Sequence, residues 1–144
     1  MSEQPRTDAA LLLPHTLPAR FLTDVLNFTA TSIEGIAVIP VAHPLVAGDR
    51  APAFLGIECG AQAAAALEAL STAGTGASVG PRIGRLVRIR QAMFLTRDLP
   101  AGTPLTVLAR MDASAPPLGI YSITVSVGDA TKVTAIISTH ASGQ

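Results

Sequence analysis

The segment from Ala51 to Leu70 limits the possible folds of this chain more than any other feature. It reads A-P-A-F-L-G-I-E-C-G-A-Q-A-A-A-A-L-E-A-L, a pattern typical of a helix that is apolar on nearly its whole circumference. Such a helix belongs inside a structure because it has no polar face to turn toward water. It nevertheless carries Glu58, with Gln62 one turn later on the same face. Since an ionised carboxylate is costly to bury unless it is paired or neutralised, the pattern indicates a role for Glu58.

Six strand-like runs flank this helix, two before it and four after it. They are Phe21–Ala30, Ile36–Val41, Ile83–Phe94, Pro104–Met111, Ile120–Val127 and Lys132–His140. A turn is expected at Glu34-Gly35, between the first two runs. The last four are separated by short segments that each contain Gly or Pro, which predicts an antiparallel meander.

The ends of the helix also carry sequence signals. Pro52 suits the first helical turn, and Asp49 is placed where its carboxylate could accept hydrogen bonds from the free N–H groups there. The helical pattern fades in the polar segment Ser71–Pro81. We expect residues 1–10 to be irregular.

This order of elements predicts an α+β fold in which one long helix is covered by a sheet. A single helix cannot bury its circumference against a flat sheet. Either the sheet curls round the helix, or a second subunit covers the remainder. The first solution is a hotdog fold, in which a curved antiparallel sheet of five or six strands wraps a central helix. The length of 144 residues suits a single domain spanning residues 1–144.

Composition excludes several classes of function. Ten basic and ten acidic residues balance, so no overall field steers the chain to nucleic acid or to a membrane surface. The single cysteine, Cys59, excludes an internal disulfide and a cysteine-based metal cluster, and its neighbours indicate a small buried side chain rather than a nucleophile. The mean hydropathy of +0.45 indicates apolar surface buried in an oligomer.

Location is also constrained by the sequence. The polar N-terminus, M-S-E-Q-P-R-T-D, is not that of a signal peptide. No apolar run approaches the ~20 residues that a membrane span needs. We therefore expect a cytoplasmic protein with no membrane partner.

His43 and Glu58 are the candidate reactive pair. Histidine titrates near neutral pH and can act as a base, and a carboxyl group in an apolar helix has its pKa pushed upward by desolvation. A helix start also supplies free N–H groups for a developing negative charge. The alternatives are an ordinary loop histidine and a glutamate with a structural partner. We expect His15 to be structural and His140 to lie on the surface.

Four arginines fall within nine residues: Arg82, Arg85, Arg88 and Arg90. They can form a docking surface for an acidic partner or simply the solvated face of a strand. In a regular strand Arg85 would point to the opposite side from Arg88 and Arg90, which argues against a single patch.

Several segments resemble hotdog-fold 3-hydroxyacyl-(acyl carrier protein) dehydratases, and among these the dehydratase-like proteins of aryl polyene and related fatty-acid-like pathways. The main matches are H-P-L-V-A-G at 43–48 and P-A-F-L-G-I-E-C-G-A-Q-A at 52–63. Weaker ones are L-L-P-H at 12–15, R-I-G-R-L-V at 82–87 and F-L-T-R-D-L-P-A-G-T-P-L-T-V at 94–107. Cys59 and Gly60 depart from the family, which usually has larger residues after the glutamate.

The resemblance implies a lyase that removes water from a 3-hydroxyacyl thioester at a site shared between two subunits. His43 would be the base on the α-carbon, and Glu58 of the other subunit the acid. Gln62 would orient the carboxylate or a water, while Gly56 would permit close approach of the backbone to the substrate. The substrate would be carried by an acyl carrier protein or by coenzyme A, with no metal and no organic cofactor. The assembly would be a homodimer or a heteromeric dehydratase complex.

Two other functions fit the same residues. One is a hotdog acyl thioesterase, in which Glu58 activates water and His43 is incidental. The other is a non-catalytic subunit that binds a second dehydratase and shapes its tunnel. Since one fold hosts many chemistries, fold-level resemblance does not decide among the three.

Overall fold

The predicted apolar helix is the centre of the structure. A computed structural model describes residues 7–8, 19–74 and 83–142. Its one long helix, α1, is formed by Leu55–Gly74. The strands are β1 (Thr7–Asp8), β2 (Leu22–Phe28), β3 (Ser32–Ala37), β4 (Arg50–Pro52), β5 (Ile83–Phe94), β6 (Asp98–Pro100), β7 (Leu105–Ala115), β8 (Leu118–Val127) and β9 (Ala130–Ser142).

Seven of these strands form one antiparallel sheet in the order β1-β2-β3-β7-β8-β9-β5. The other two, β4 and β6, pair with each other in a small separate ribbon. Of the residues expected to be irregular at the N-terminus, Thr7 and Asp8 instead pair with β2, and the rest lie outside the described residues.

The helix packs against all six long strands of the main sheet. On α1, the side chains of Ile57, Ala63 and Leu67 are buried, and they share one core with strand residues such as Val107 and Ile123. Alternation along β7, β8 and β9 turns every second side chain toward this core. The sheet therefore curls round the helix, and the predicted hotdog fold is confirmed.

The helix begins later than its sequence pattern predicts. Pro52 belongs to β4 and not to the first turn of α1, because Arg50–Pro52 pairs with Asp98–Pro100. The Ala53 N–H also bonds to the carbonyl of Arg97 at 3.1 Å. Asp49 therefore lies before a strand and too far from Leu55 to cap the helix, and its carbonyl accepts a hydrogen bond from Ala101 instead.

The turn expected at Glu34-Gly35 lies elsewhere. Both residues are inside β3, and the chain reverses at Thr29–Thr31, where the Thr29 hydroxyl accepts hydrogen bonds from the N–H groups of Thr31 and Ser32. Gly35 is required for a different reason. A Cβ there would lie 2.7 Å from the carbonyl oxygen of Asp24 on β2.

The meander predicted for the last four strands is only partly correct. Strands β7, β8 and β9 are consecutive neighbours, but β5 pairs with β9 and forms an edge of the sheet. The segment between β5 and β7 includes β6, which pairs with β4 outside the main sheet. Short connections between strands thus did not mean that β5 and β7 are neighbours.

An irregularity in β5 brings three arginines onto one face. The register shifts between Leu86 and Arg88, so that Val87 is an extra residue in the strand. Arg85, Arg88 and Arg90 then lie opposite His140, Ser138 and Ile136, alternate residues of β9 that point away from the core. Because directly opposite residues share a face, the three arginines form one exposed row, contrary to the expectation for a regular strand. Arg82 lies outside the described residues.

Within the part of the chain that the structure describes, no helix has both the length and the apolar character needed to cross a membrane.

Gly60 allows a close approach of α1 to the sheet. A Cβ at this position would lie 2.3 Å from Cδ1 and 2.8 Å from Cβ of Ile123 on β8. Because Cβ of Ile123 does not move when the side chain changes its rotamer, a rotamer change cannot relieve the second of these contacts. The helix can approach β8 this closely only because Gly60 has no side chain.

We expect Gly60→Ala to lower the free energy of unfolding by ~1–3 kcal/mol, because overpacking outweighs the better helix propensity of alanine. Gly56→Ala is the matched control in the same helix. Its Cβ would lie 3.0 Å or more from the ends of the Val133 and Leu99 side chains, which can move, so its cost is smaller. Urea unfolding of both variants measures this, and a Gly60→Ala protein as stable as the parent would contradict it.

Candidate active site

A cavity of about 560 Å³ lies between the start of α1, the loop before β4 and the inner face of β5. Its walls are mostly aliphatic and aromatic. The lining residues are Ala19, Phe21, His43, Leu45, Phe54, Leu55, Ile57, Glu58, Leu86, Ile89, Ala92 and Phe94.

Among the described residues that line this cavity, only His43 and Glu58 have polar side chains. Both are partly buried. The structure therefore places the two predicted reactive residues on the wall of one cavity. All residues that line this cavity belong to a single chain. That the working pair combines His43 of one subunit with Glu58 of another stays a prediction.

The side chain of Gln62 makes four hydrogen bonds beside the cavity and is 1% exposed. Its Oε1 accepts hydrogen bonds from the backbone N–H groups of Phe21 (2.8 Å) and Leu22 (3.0 Å). Its Nε2 donates to the carbonyl of Ala19 (2.7 Å) and to Oε1 of Glu58 (3.2 Å). Gln62 thus ties α1 to the segment leading into β2, and it holds the Glu58 carboxyl group at the cavity wall.

The ring of His43 is positioned by its own loop and by Phe21. The backbone N–H of Leu45 donates to Nδ1 of His43 at 3.1 Å, closing a local turn. The Phe21 ring packs against the imidazole with centroids 5.4 Å apart and planes tilted by 59°. This hydrogen bond occupies the lone pair of Nδ1.

The glycine expected to approach the substrate faces the sheet. A Cβ on Gly56 would meet Val133 and Leu99, and Gly56 does not line the cavity. Its N–H donates to the carbonyl of Ala53 at 2.9 Å, and the N–H of Ile57 donates to that of Phe54 at 3.0 Å. These two donors at the helix start are therefore already occupied.

Cys59 is fully buried in the core, as the sequence predicts. Burial raises the pKa of its thiol, and the neighbouring charge of Glu58 raises it further. A thiol held in this neutral state is a poor nucleophile. Cys59 therefore contributes packing and not chemistry.

A second buried polar contact lies toward the other end of α1. The hydroxyl of Tyr121 donates to Oε1 of Glu68 at 2.7 Å. Burial raises the pKa of Tyr121, and the bond to Glu68 raises it further. Neither residue lines the cavity, and together they fasten the helix to β8.

Sequence reasoning did not identify the aromatic lining of the cavity. Three of the four phenylalanines of the chain, Phe21, Phe54 and Phe94, lie on its walls. The scarcity of aromatic residues was visible in the composition and could have drawn attention to them. Of the other histidines, His140 is partly buried on β9, and His15 lies outside the described residues.

Across residues 7–8, 19–74 and 83–142, no group of three or more His, Cys, Asp or Glu side chains is arranged to hold a metal ion.

We expect Gln62→Leu to lower the free energy of unfolding by ~3 kcal/mol, because it leaves the N–H groups of Phe21 and Leu22 and the carbonyl of Ala19 without partners. The control is Ser71→Ala, at an exposed position of the same helix, which should change stability by less than ~0.5 kcal/mol. Urea unfolding provides the measurement. Equal stability of the two variants would show that the buried amide does not fasten the helix.

Comparison with known proteins agrees with this architecture. The family of ApeP dehydratases (ApeP-like) matches residues 7–143. A comparison with curated proteins finds no significant match.

Solved structures share the fold at low sequence identity. The dehydratase heterocomplex ApeI:P from Xenorhabdus doucetiae superposes with a TM-score of 0.85 at 18% identity, covering 96% of this chain and 93% of that one. An uncharacterized protein, PH1136 from Pyrococcus horikoshii, gives 0.65 at 9% identity and covers 100% and 97% of the two chains. A mutant of thioesterase PA1618 from Pseudomonas aeruginosa gives 0.59 at 13% identity, with 83% and 80% covered.

The family match spans nearly the whole chain, including the segment that contains His43, Glu58 and Gln62. The chain belongs to the ApeP-like dehydratase family, and its function is dehydratase-like.

Proposed function

We propose that this protein removes water from a 3-hydroxyacyl chain carried as a thioester. The observation that carries the proposal is the pairing of His43 and Glu58 on the wall of an otherwise apolar cavity. The two side chains supply proton transfer and hydrogen bonding, while the surrounding hydrocarbon binds the acyl chain.

The cavity suits a substrate of this kind. Its volume of about 560 Å³ lies within the range of small-molecule sites, which combine apolar walls with a few polar groups that fix orientation. Dehydration requires removal of a proton from the α-carbon and delivery of a proton to the departing β-hydroxyl group. A carboxyl group and an imidazole facing one space can divide these tasks without a cofactor. Gln62 supports the reaction by holding the Glu58 carboxyl group.

We expect His43→Ala and Glu58→Ala each to lower the rate of dehydration by at least ~10²-fold, because each removes a group that acts on the reacting atoms. The appearance of conjugated enoyl absorbance measures this reaction. Ser71→Ala is the control, and it should retain full turnover since the residue is exposed on α1 away from the cavity.

The same assay separates dehydration from thioester hydrolysis. A thioesterase would release a free thiol without enoyl absorbance, and Glu58 would then activate water. Thioesterase structures share the fold of this chain, so the assay also tests for thioester hydrolysis. This similarity shows the fold alone. Undiminished dehydration in both alanine variants would remove His43 and Glu58 from the mechanism.

A role as one subunit of a heteromeric dehydratase is the second candidate. Strand β5 is an open edge of the sheet, and it carries exposed apolar residues, among them Val87 and Met93. Exposed edges of this kind are commonly covered by another chain. The structurally similar ApeI:P protein is itself a heterocomplex. Under this proposal the chain is inactive alone and active only when co-purified with a second hotdog subunit.

We also propose that the carrier of the substrate is an acyl carrier protein that docks on the arginine row, defined as Arg85, Arg88 and Arg90. Strands β5, β8 and β9 contain no aspartate or glutamate, so no acidic residue of these strands offsets the row. The opposite face of the same strand lines the cavity through Leu86 and Ile89. An acidic carrier bound here would lie on the outer face of β5, whose inner face lines the cavity. We propose that the protein works with this carrier in the cytoplasm.

We expect the triple variant Arg85→Gln, Arg88→Gln, Arg90→Gln to raise KM for a carrier-borne substrate by about tenfold at low salt. Three exposed charge contacts at ~0.2–1 kcal/mol each sum to about that factor. Turnover of a small pantetheine thioester should not change, because it has no acidic carrier to dock.

Arg110→Gln is the control, since Arg110 is an exposed arginine on β7 that pairs with Asp112. An unchanged KM for the carrier-borne substrate in the triple variant would show that the arginine row is a solvent-exposed surface that does not bind the carrier.

A further inference from the structure

We propose that Ala92, on the inner face of β5, selects substrates by the length of their acyl chain, because its small side chain leaves the space through which the chain extends away from the reacting carbons. This inference rests on the proposed dehydration and assigns a specificity-determining residue to it. It follows from two irregularities in β5 and from the position of Ala92 along α1.

Strand β5 departs twice from regular pairing with β9. The first departure is the extra residue Val87. In the second, two residues, Gln91 and Ala92, lie opposite the single residue Ala135. Gln91 has a φ of 49°, in the left-handed region that residues other than glycine enter only at an energetic cost. A backbone held in such a conformation often marks a functional wall or site.

Together the two departures decide which side chains of β5 face the cavity. Counted from Leu86, a strand without either departure would turn Arg88 and Arg90 inward. With the first departure alone, Gln91 and Met93 would face inward. The second departure therefore places a methyl group on the wall where a polar amide would otherwise lie. The observed inner row is wholly apolar and consists of Leu86, Ile89, Ala92 and Phe94.

Ala92 lies level with Gly60 of α1. A Cβ on Gly60 would lie 2.8 Å from Cβ of Ile123 on β8. Ile123 pairs with Ala135 of β9, and Ala135 lies opposite Ala92 on β5. These three strand residues form one row across the sheet, and the row crosses the helix at Gly60.

The neighbouring row of the sheet crosses the helix at its start. A Cβ on Gly56 would lie 3.0 Å from the side chain of Val133, which pairs with Phe94 on β5. Glu58 is midway along α1 between the two helix glycines. It therefore lies between the rows that contain Phe94 and Ala92, and Ala92 is the next wall residue beyond it along β5.

The acyl chain is the part of the substrate that suits this stretch of the cavity. From Ala92 the inner row continues through Ile89 to Leu86, and none of these side chains can form a hydrogen bond. The pantetheine arm carries amide groups, which lose their hydrogen bonds to water when they are buried against hydrocarbon. The acyl chain has no such groups to lose. It runs along this row, with the carbons that follow the β-carbon over the methyl group of Ala92.

The test is Ala92→Leu, assayed on pantetheine thioesters with a short 3-hydroxybutyryl group and a long 3-hydroxydecanoyl group. Ala92 is exposed where it lines the cavity, so the larger side chain fills cavity space and displaces no core residue. We expect kcat/KM to fall at least about tenfold further for the long substrate than for the short one, because space in an apolar pocket has effects of this size. Enoyl absorbance measures both rates, with the partner subunit present if activity requires it.

Ala113→Leu is the matched control. It makes the same change at an exposed alanine of β7 that does not line the cavity, so the ratio of the two kcat/KM values should not change. A ratio in Ala92→Leu equal to that of the parent protein would overturn the inference, because the acyl chain would then not pass Ala92.

Binding provides a second measurement that does not need the reaction. Calorimetry compares the amide analogues of butyryl-pantetheine and decanoyl-pantetheine, which have no β-hydroxyl group to lose and no thioester to hydrolyse. We expect the parent protein to bind the decanoyl analogue more tightly and Ala92→Leu to lose most of that preference.

The two measurements separate failure of this inference from failure of the proposed function. If the parent protein dehydrates no substrate, alone or with a partner subunit, the proposed function fails. If the parent shows no preference for the decanoyl analogue, or if Ala92→Leu keeps that preference in full, Ala92 does not select the acyl chain.

Discussion

The buried amide of Gln62 is the interaction on which the site depends. Its oxygen and nitrogen join α1 to the chain just before β2, and the same nitrogen holds the carboxyl group of Glu58. It also anchors the backbone of Phe21, whose ring packs against His43. One side chain thereby holds Glu58 directly and anchors a residue that contacts His43. A buried amide can do this only when all of its hydrogen-bonding groups have partners, because an unpaired one would be costly.

The cavity exists because the helix is held close to the sheet on one side and away from it on the other. Gly60 permits contact with β8, while the start of α1, the preceding Phe54 and the inner side of β5 all line the cavity. The edge strand has two distinct faces. Leu86 and Ile89 turn toward the cavity, and the extra residue Val87 places the three arginines together on the outside. The bulge at Val87 therefore places Leu86 and Ile89 on the apolar wall and the three arginines on the basic surface.

Much of the fold could be predicted from the sequence, because burial patterns are local. The apolar run around Glu58 identified the central helix, and β5 has the bounds that its own pattern predicted. The errors occurred where distant segments decide. Pro52 looked like the first residue of a helix and lies in β4, because β6 pairs with it. The turn predicted at Glu34-Gly35 was wrong. Gly35 lies inside β3, where a side chain would clash with the carbonyl of Asp24 on the neighbouring strand.

For the site, the sequence by itself determined which groups are present: an acid within an apolar helix, an amide one turn later, and an imidazole in the preceding loop. Residue types and helical spacing are sufficient for that. Only the tertiary structure decided that His43 and Glu58 line one cavity, that Gly56 faces the sheet, and that Nδ1 of His43 is occupied. The first two facts depend on contacts between segments far apart in the chain, and the third depends on the conformation of the loop at His43–Leu45, which no pattern of residue types encodes.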